Sequence, residues 1–159
     1  MKLVAMFVSF CFVLSVDPAG AQTRTDVALK ALRVVTGKVS WDANTAIVAD
    51  VTCDRLSDIV MVGYEPGAVW LGVVPGTKSG KAGMATTTRF PVGAHAQDSF
   101  CETPVRIETY PMDCDGEDRS MLGCKLIKGC TAFSLNDEAC DAFHFHWNRS
   151  RKALTWSRR

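Results

Sequence analysis

The chain has 159 residues, 47% of them hydrophobic, and its 18 basic against 17 acidic side chains leave a formal charge of +1. That length suits one domain. A near-neutral balance excludes a surface built as a whole to hold nucleic acid.

The chain opens MKLVAMFVSFCFVLSVDPAGAQ, with Lys2 ahead of an apolar run from Leu3 to Val16 and the small residues Ala19, Gly20 and Ala21 behind it. This is the pattern of a signal peptide. The run is shorter than the roughly 18–20 residues that cross a bilayer, so cleavage after Ala21 is expected rather than retention as an anchor. Residues 22–159 then form a single exported β domain, secreted or periplasmic, with no later segment apolar enough to span a membrane. Cys11 leaves with the signal, and Cys53, Cys101, Cys114, Cys124, Cys130 and Cys140 remain, an even number suited to disulfides in an oxidising compartment, with the pairing open. No Cys-x-x-Cys pair favours zinc instead.

In the stretch 25–37, TDVALKALRVVTG, apolar residues recur at helical spacing. A short helix is expected, with Thr25 as N-cap, Asp26 near its positive end and Gly37 as a left-handed stop. The β-branched run 34–36 also permits a strand. After SWDAN, a turn-type cluster, β signals follow nearly to the C-terminus: TAIVADV, DIVMVGY, AVWLGVV, MATTTRF, VRIETY, CKLI, TAFSL, AFHFHW and ALTW. Each is short and bounded by Gly, Pro, Asn or Asp. The spacing predicts a mainly β fold, a small disulfide-stapled antiparallel sandwich or barrel of about eight or nine strands with one short helix at the N-terminus.

Within it, the stretch 47–74 carries Asp50, Thr52, Asp54 and Asp58 in a loop between two β runs, with the Leu56 carbonyl between the last two. Oxygen ligands at alternating positions of a tight loop can converge on calcium, and water or a further residue would complete the shell. The alternative is that these carboxylates make Asx-type turns. Residues 47–63, IVADVTCDRLSDIVMVG, resemble a single FG-GAP or VCBS-type repeat, the calcium-loop hairpin of integrin α-subunit propellers, and Ala68–Val74 takes the place of that repeat's next strand. The resemblance implies a hairpin and calcium ligands at Asp50, Thr52, Asp54 and Asp58. It departs from the family at Thr52, usually Asp or Asn, and at Arg55, usually Gly, where a left-handed side chain costs about 1–2 kcal/mol. One copy cannot close a propeller.

Other candidates are weaker. The acidic run Asp113, Asp115, Glu117 and Asp118 reads as an exposed turn, and the basic C-terminal run as a solvated face. His144 and His146, two apart on a strand, share a face and could offer nitrogen ligands to zinc or copper, with His95 the one other histidine. The bland cause is alternation, with Phe143, Phe145 and Trp147 inward and the histidines at the surface. His95, Asp98 and Ser99 supply triad residue types, but too close in sequence and without a nucleophile elbow. The last hairpin places Trp147 and Trp156 across from each other around a basic turn with Arg149, Arg151 and Lys152, a candidate contact for an anionic surface. Three functions follow: a binding module for a protein or surface glycan, the favoured reading; an inhibitor of an extracytoplasmic enzyme presenting the loop 77–83; and a metal-dependent enzyme built on His144 and His146.

Overall fold

The computed structural model describes residues 18–93, 96–112, 126–148 and 150–158. Over these residues it is mainly β, with nine strands in two antiparallel sheets and one N-terminal helix. The helix, α1 (Pro18–Val35), lies against the first sheet: β1 (Ser40–Trp41), β2 (Ile47–Ala49), β3 (Asp58–Glu65), β4 (Ala68–Val74) and β5 (Thr86–Pro91). The second sheet is the meander β6 (Arg106–Pro111), β7 (Thr131–Asn136), β8 (Phe143–Asn148) and β9 (Ala153–Arg158). The layers are therefore helix, sheet, sheet.

That layering explains why β3 and β4 are almost continuously apolar where a half-exposed strand would alternate. Val60, Val62, Val69, Leu71 and Val73 face the second sheet and meet Phe133, Leu135, Phe143 and Phe145. Their neighbours Ile59, Met61 and Val74 face the other way, toward Ala28 and Leu32 of α1. Gly63 and Gly72 make this helix side shallow. A Cβ at Gly72 would stand 2.6 Å from Leu32 Cδ2 and 2.7 Å from the Trp41 ring, and one at Gly63 would stand 2.7 Å from the same ring. Trp41 thus lies where two side chains are missing.

Two disulfides are formed among the described residues. Cys53–Cys130 ties the β2–β3 loop to the start of β7, and Cys101–Cys140 ties the segment before β6 to the β7–β8 turn. The first closes a 77-residue separation, for which the chain-entropy relation gives about 4.5 kcal/mol. Two disulfides suit an oxidising, extracytoplasmic location. No described helix is long and apolar enough to cross a membrane. Cys114, Cys124, the acidic run 113–118, His95 and Arg149 lie outside the described residues, as do residues 1–17 of the expected signal.

Several expectations change. Thr25 and Asp26 lie inside α1 rather than capping it. Gly37 is not left-handed; the end is closed by Thr36, whose N–H and hydroxyl both donate to the Leu32 carbonyl. SWDAN is more than a turn. Its Ser40–Trp41 pairs with β3, and the 3-10 turn Ala43–Thr45 lets β1 and β2 share one edge of β3, with the Thr45 hydroxyl accepting the Val62 N–H in place of a strand carbonyl. In CKLI, Leu126 and Ile127 form no strand: the Ile127 carbonyl accepts Cys130 N–H in a turn through left-handed Gly129. The last hairpin pairs Asn148 with Ala153, which sets Trp147 opposite Leu154 and Trp156 opposite Phe145. Trp156 accordingly packs on Phe90 and Phe143, not on Trp147.

Candidate functional site

The loop 50–57 is closed by its own carboxylates. Asp50 accepts the N–H groups of Asp54 (3.1 Å) and Arg55 (2.9 Å), and Asp54 accepts that of Leu56 (2.8 Å). Asp58, fully buried at the start of β3, accepts Val51 and Thr52 N–H through one oxygen and Gly76 N–H through the other, all at 2.8–2.9 Å. Burial pushes the Asp58 carboxyl above the usual carboxylate range, and the three N–H bonds offset that only in part. The turn needs two left-handed residues, Cys53 at φ 58° and Arg55 at φ 69°, and the Cys53 disulfide anchors it from outside.

The calcium expectation gains nothing from this arrangement. The five positions Asp50, Thr52, Asp54, Leu56 and Asp58 do come together in one loop, but the carboxylates turn toward backbone donors and Asp58 points into the protein. Among the described residues, no group of three or more His, Cys, Asp or Glu side chains is placed to hold a metal ion.

His144 and His146 share a face, as alternation requires, yet each meets a protein partner: His144 Nδ1 lies 3.2 Å from the Tyr110 hydroxyl and His146 Nε2 lies 2.9 Å from that of Thr155. His146 is buried, not the surface residue expected, and so is Ser134 on the neighbouring strand. Ser99 is also buried, and its hydroxyl closes a turn, donating to the Ala96 carbonyl and accepting the Ala96 N–H.

What the loop does build is one wall of a cleft of about 350 Å³. Arg55, Leu56 and Ser57 form that wall, Thr23, Arg24, Val27 and Ala28 of α1 the second, and the segment 74–82 the third. Ile59 and Val74 make an apolar floor. The walls are held together by backbone approaches that leave no room for side chains: a Cβ at Gly76 would meet the Ser57 carbonyl, and one at Gly83 the Pro75 carbonyl at 2.8 Å. The loop 77–83 is exposed over residues 78–81 and closed by its own hydrogen bonds. Its Thr77 hydroxyl donates to the Lys81 carbonyl at 2.7 Å, and Gly83 N–H returns to Pro75.

Comparison with protein-family models, curated proteins and solved structures found no match. The resemblance to a calcium-loop repeat over residues 47–74 gains no support from these comparisons; the structure shows only that β2 and β3 pair antiparallel on either side of the loop 50–57. Sequence reading missed Arg24 and Lys81 because they lie on elements distant in the chain and follow no local spacing. Arg55 did carry a signal, as the residue standing where a glycine would be easier.

Proposed function

We propose that this protein is an exported, disulfide-held β module that works by binding, with the cleft between α1, the loop 50–57 and the segment 74–82 as its recognition surface. The observation that carries this reading is the construction of the cleft: three chain segments meet around a concave, partly apolar surface whose walls are fixed before any ligand arrives. The fixing elements are Cys53–Cys130, the Asp58 carboxylate bridging two walls, and Gly76. Preorganisation of this kind lowers the ordering cost of association. The volume lies at the small end of ligand pockets, enough for a side chain, a sugar ring or a small molecule.

The test is an amide-resolved NMR screen of the disulfide-bonded protein against fragments of neutral, cationic and anionic character. Saturable shifts concentrated at Ala28, Arg55, Ile59, Val74 and Ala82 are the expected result. Hits that map consistently elsewhere, or no hits at all, would remove the cleft from consideration.

A further inference from the structure

The cleft is electrically one-sided. Arg24 stands on the helix wall, Arg55 on the loop wall and Lys81 on the third, and among the described residues no carboxylate lines it. The ion pairs among the described residues, Arg89–Glu65 and Arg106–Glu138, use none of the three. The nearest acids in sequence are turned to other work. Asp50 and Asp54 are bonded to N–H groups of their own loop, and Asp26 lines a separate hollow with Lys30 and Arg33. Beneath the cations lies hydrocarbon: Ile59 and Val74 as floor, with Val27, 44% exposed, on the helix side.

Three like charges around one opening repel one another, and among the described residues no ion pair joins any of them to a carboxylate. Guanidinium groups are suited to a carboxylate, which they hold through paired hydrogen bonds. Arg55 makes the point further. It occupies a left-handed backbone position where glycine would be unstrained, so the chain keeps a basic side chain at this rim at a conformational cost.

Resting on the reading of the cleft as the recognition surface, we infer that its ligand is a small amphipathic anion, a monocarboxylate with an apolar acyl or aryl body. The carboxylate sits among Arg24, Arg55 and Lys81, and the body lies on Val27, Ile59 and Val74.

Decanoate, below its micelle concentration, is the probe, with decanol and inorganic phosphate as the apolar-only and charge-only controls, each titrated into the disulfide-bonded protein by NMR and calorimetry. Decanoate should bind saturably at the cleft amides, more tightly than either control, and should weaken as salt screens the rim. Arg55→Gly and Lys81→Gln should each weaken it by about five-fold, the upper size for an exposed ion pair, while Arg55→Gly, relieved of its strain, melts at an equal or higher temperature than the parent. A residue kept only for the loop's structure would not separate binding from stability in this way. Equal binding of decanol, decanoate affinity unchanged in both variants, or shifts outside the cleft would each overturn the inference. Should decanoate fail while neutral or cationic fragments move the same amides, the ligand class is wrong and the cleft stands. Failure of every fragment removes both.

Discussion

Replacing Asp58 with Asn tests the central joint of the structure with a change of almost no volume. The carboxylate accepts three backbone N–H groups, from Val51 and Thr52 through Oδ2 and from Gly76 through Oδ1. An amide has one accepting oxygen. If that oxygen serves Val51 and Thr52, the Gly76 N–H faces another donor; the reverse orientation strands two N–H groups. A hydrogen bond to a charged acceptor contributes about 1.5–3 kcal/mol and an unsatisfied buried group costs about 1–3. Relief from burying a charge offsets part of this, so the net loss at neutral pH is about 2 kcal/mol, or a fall of about 4–8 °C in melting temperature for a chain of this size. The pH dependence has a definite sign. Burial raises the folded-state pKa of Asp58 above its unfolded value, so its contribution is fully present below the unfolded pKa and declines as pH rises through the folded one. Asn does not titrate, and the penalty should therefore be larger near pH 4 than near pH 8. Paired thermal melts across that range measure it. A melting temperature unmoved by the substitution, or a penalty that grows with pH, would refute the reasoning.

Asp137 should behave in the opposite sense. Its burial is outweighed by N–H bonds from Cys140, Cys101, Glu102 and Ala139, which hold it below the usual carboxylate range. Its contribution is present above the unfolded pKa and lost as pH falls through the folded one, so melts should show Asp137→Asn costing about 2 kcal/mol at pH 7 and less near pH 3. Gly72→Ala should cost about 1–3 kcal/mol in urea denaturation by driving a methyl into Leu32 and Trp41. Combined with Leu32→Ala it should cost less than the sum of the two single changes, because the clash and the cavity share one site. Adding calcium to a chelator-treated sample should leave the melting temperature unchanged. A rise that disappears when Asp50 and Asp54 are both Asn would instead establish the loop as a cation site.

That β3 and β4 are strands was written in the runs DIVMVGY and AVWLGVV, bounded by Gly and Pro; that both of their faces are buried was not, because it depends on the helix and the second sheet packed on either side. Alternation in FHFHW did place Phe143 and Phe145 in the core. Other features were not local. Ser40–Trp41 became a strand because Trp41 could cover Gly63 and Gly72, residues that approach it only once β3 and β4 have paired. The burial of His146, at a position that alternation assigns to the surface face, is likewise something that spacing along β8 cannot report. The cleft is the extreme case: Arg24, Arg55 and Lys81 are brought around one opening by α1, a hairpin loop and a strand connection, and no window of sequence contains all three.

The acid-rich loop shows how one local pattern admits two physical solutions. A loop with carboxylates at alternating positions can be closed by a cation that gathers oxygens, or by backbone N–H groups that gather around the carboxylates themselves. Here the second solution is in place, with Asp50, Asp54 and Asp58 together accepting six N–H groups. The Cys53–Cys130 bond supplies an anchor from the other sheet. The loop's shape then needs no ion to explain it. A loop closed from within leaves its outward residues free to serve the cleft, and of these Arg55 is the one whose backbone is strained to be there. Removing that side chain while keeping the loop therefore separates what closes the loop from what the loop presents.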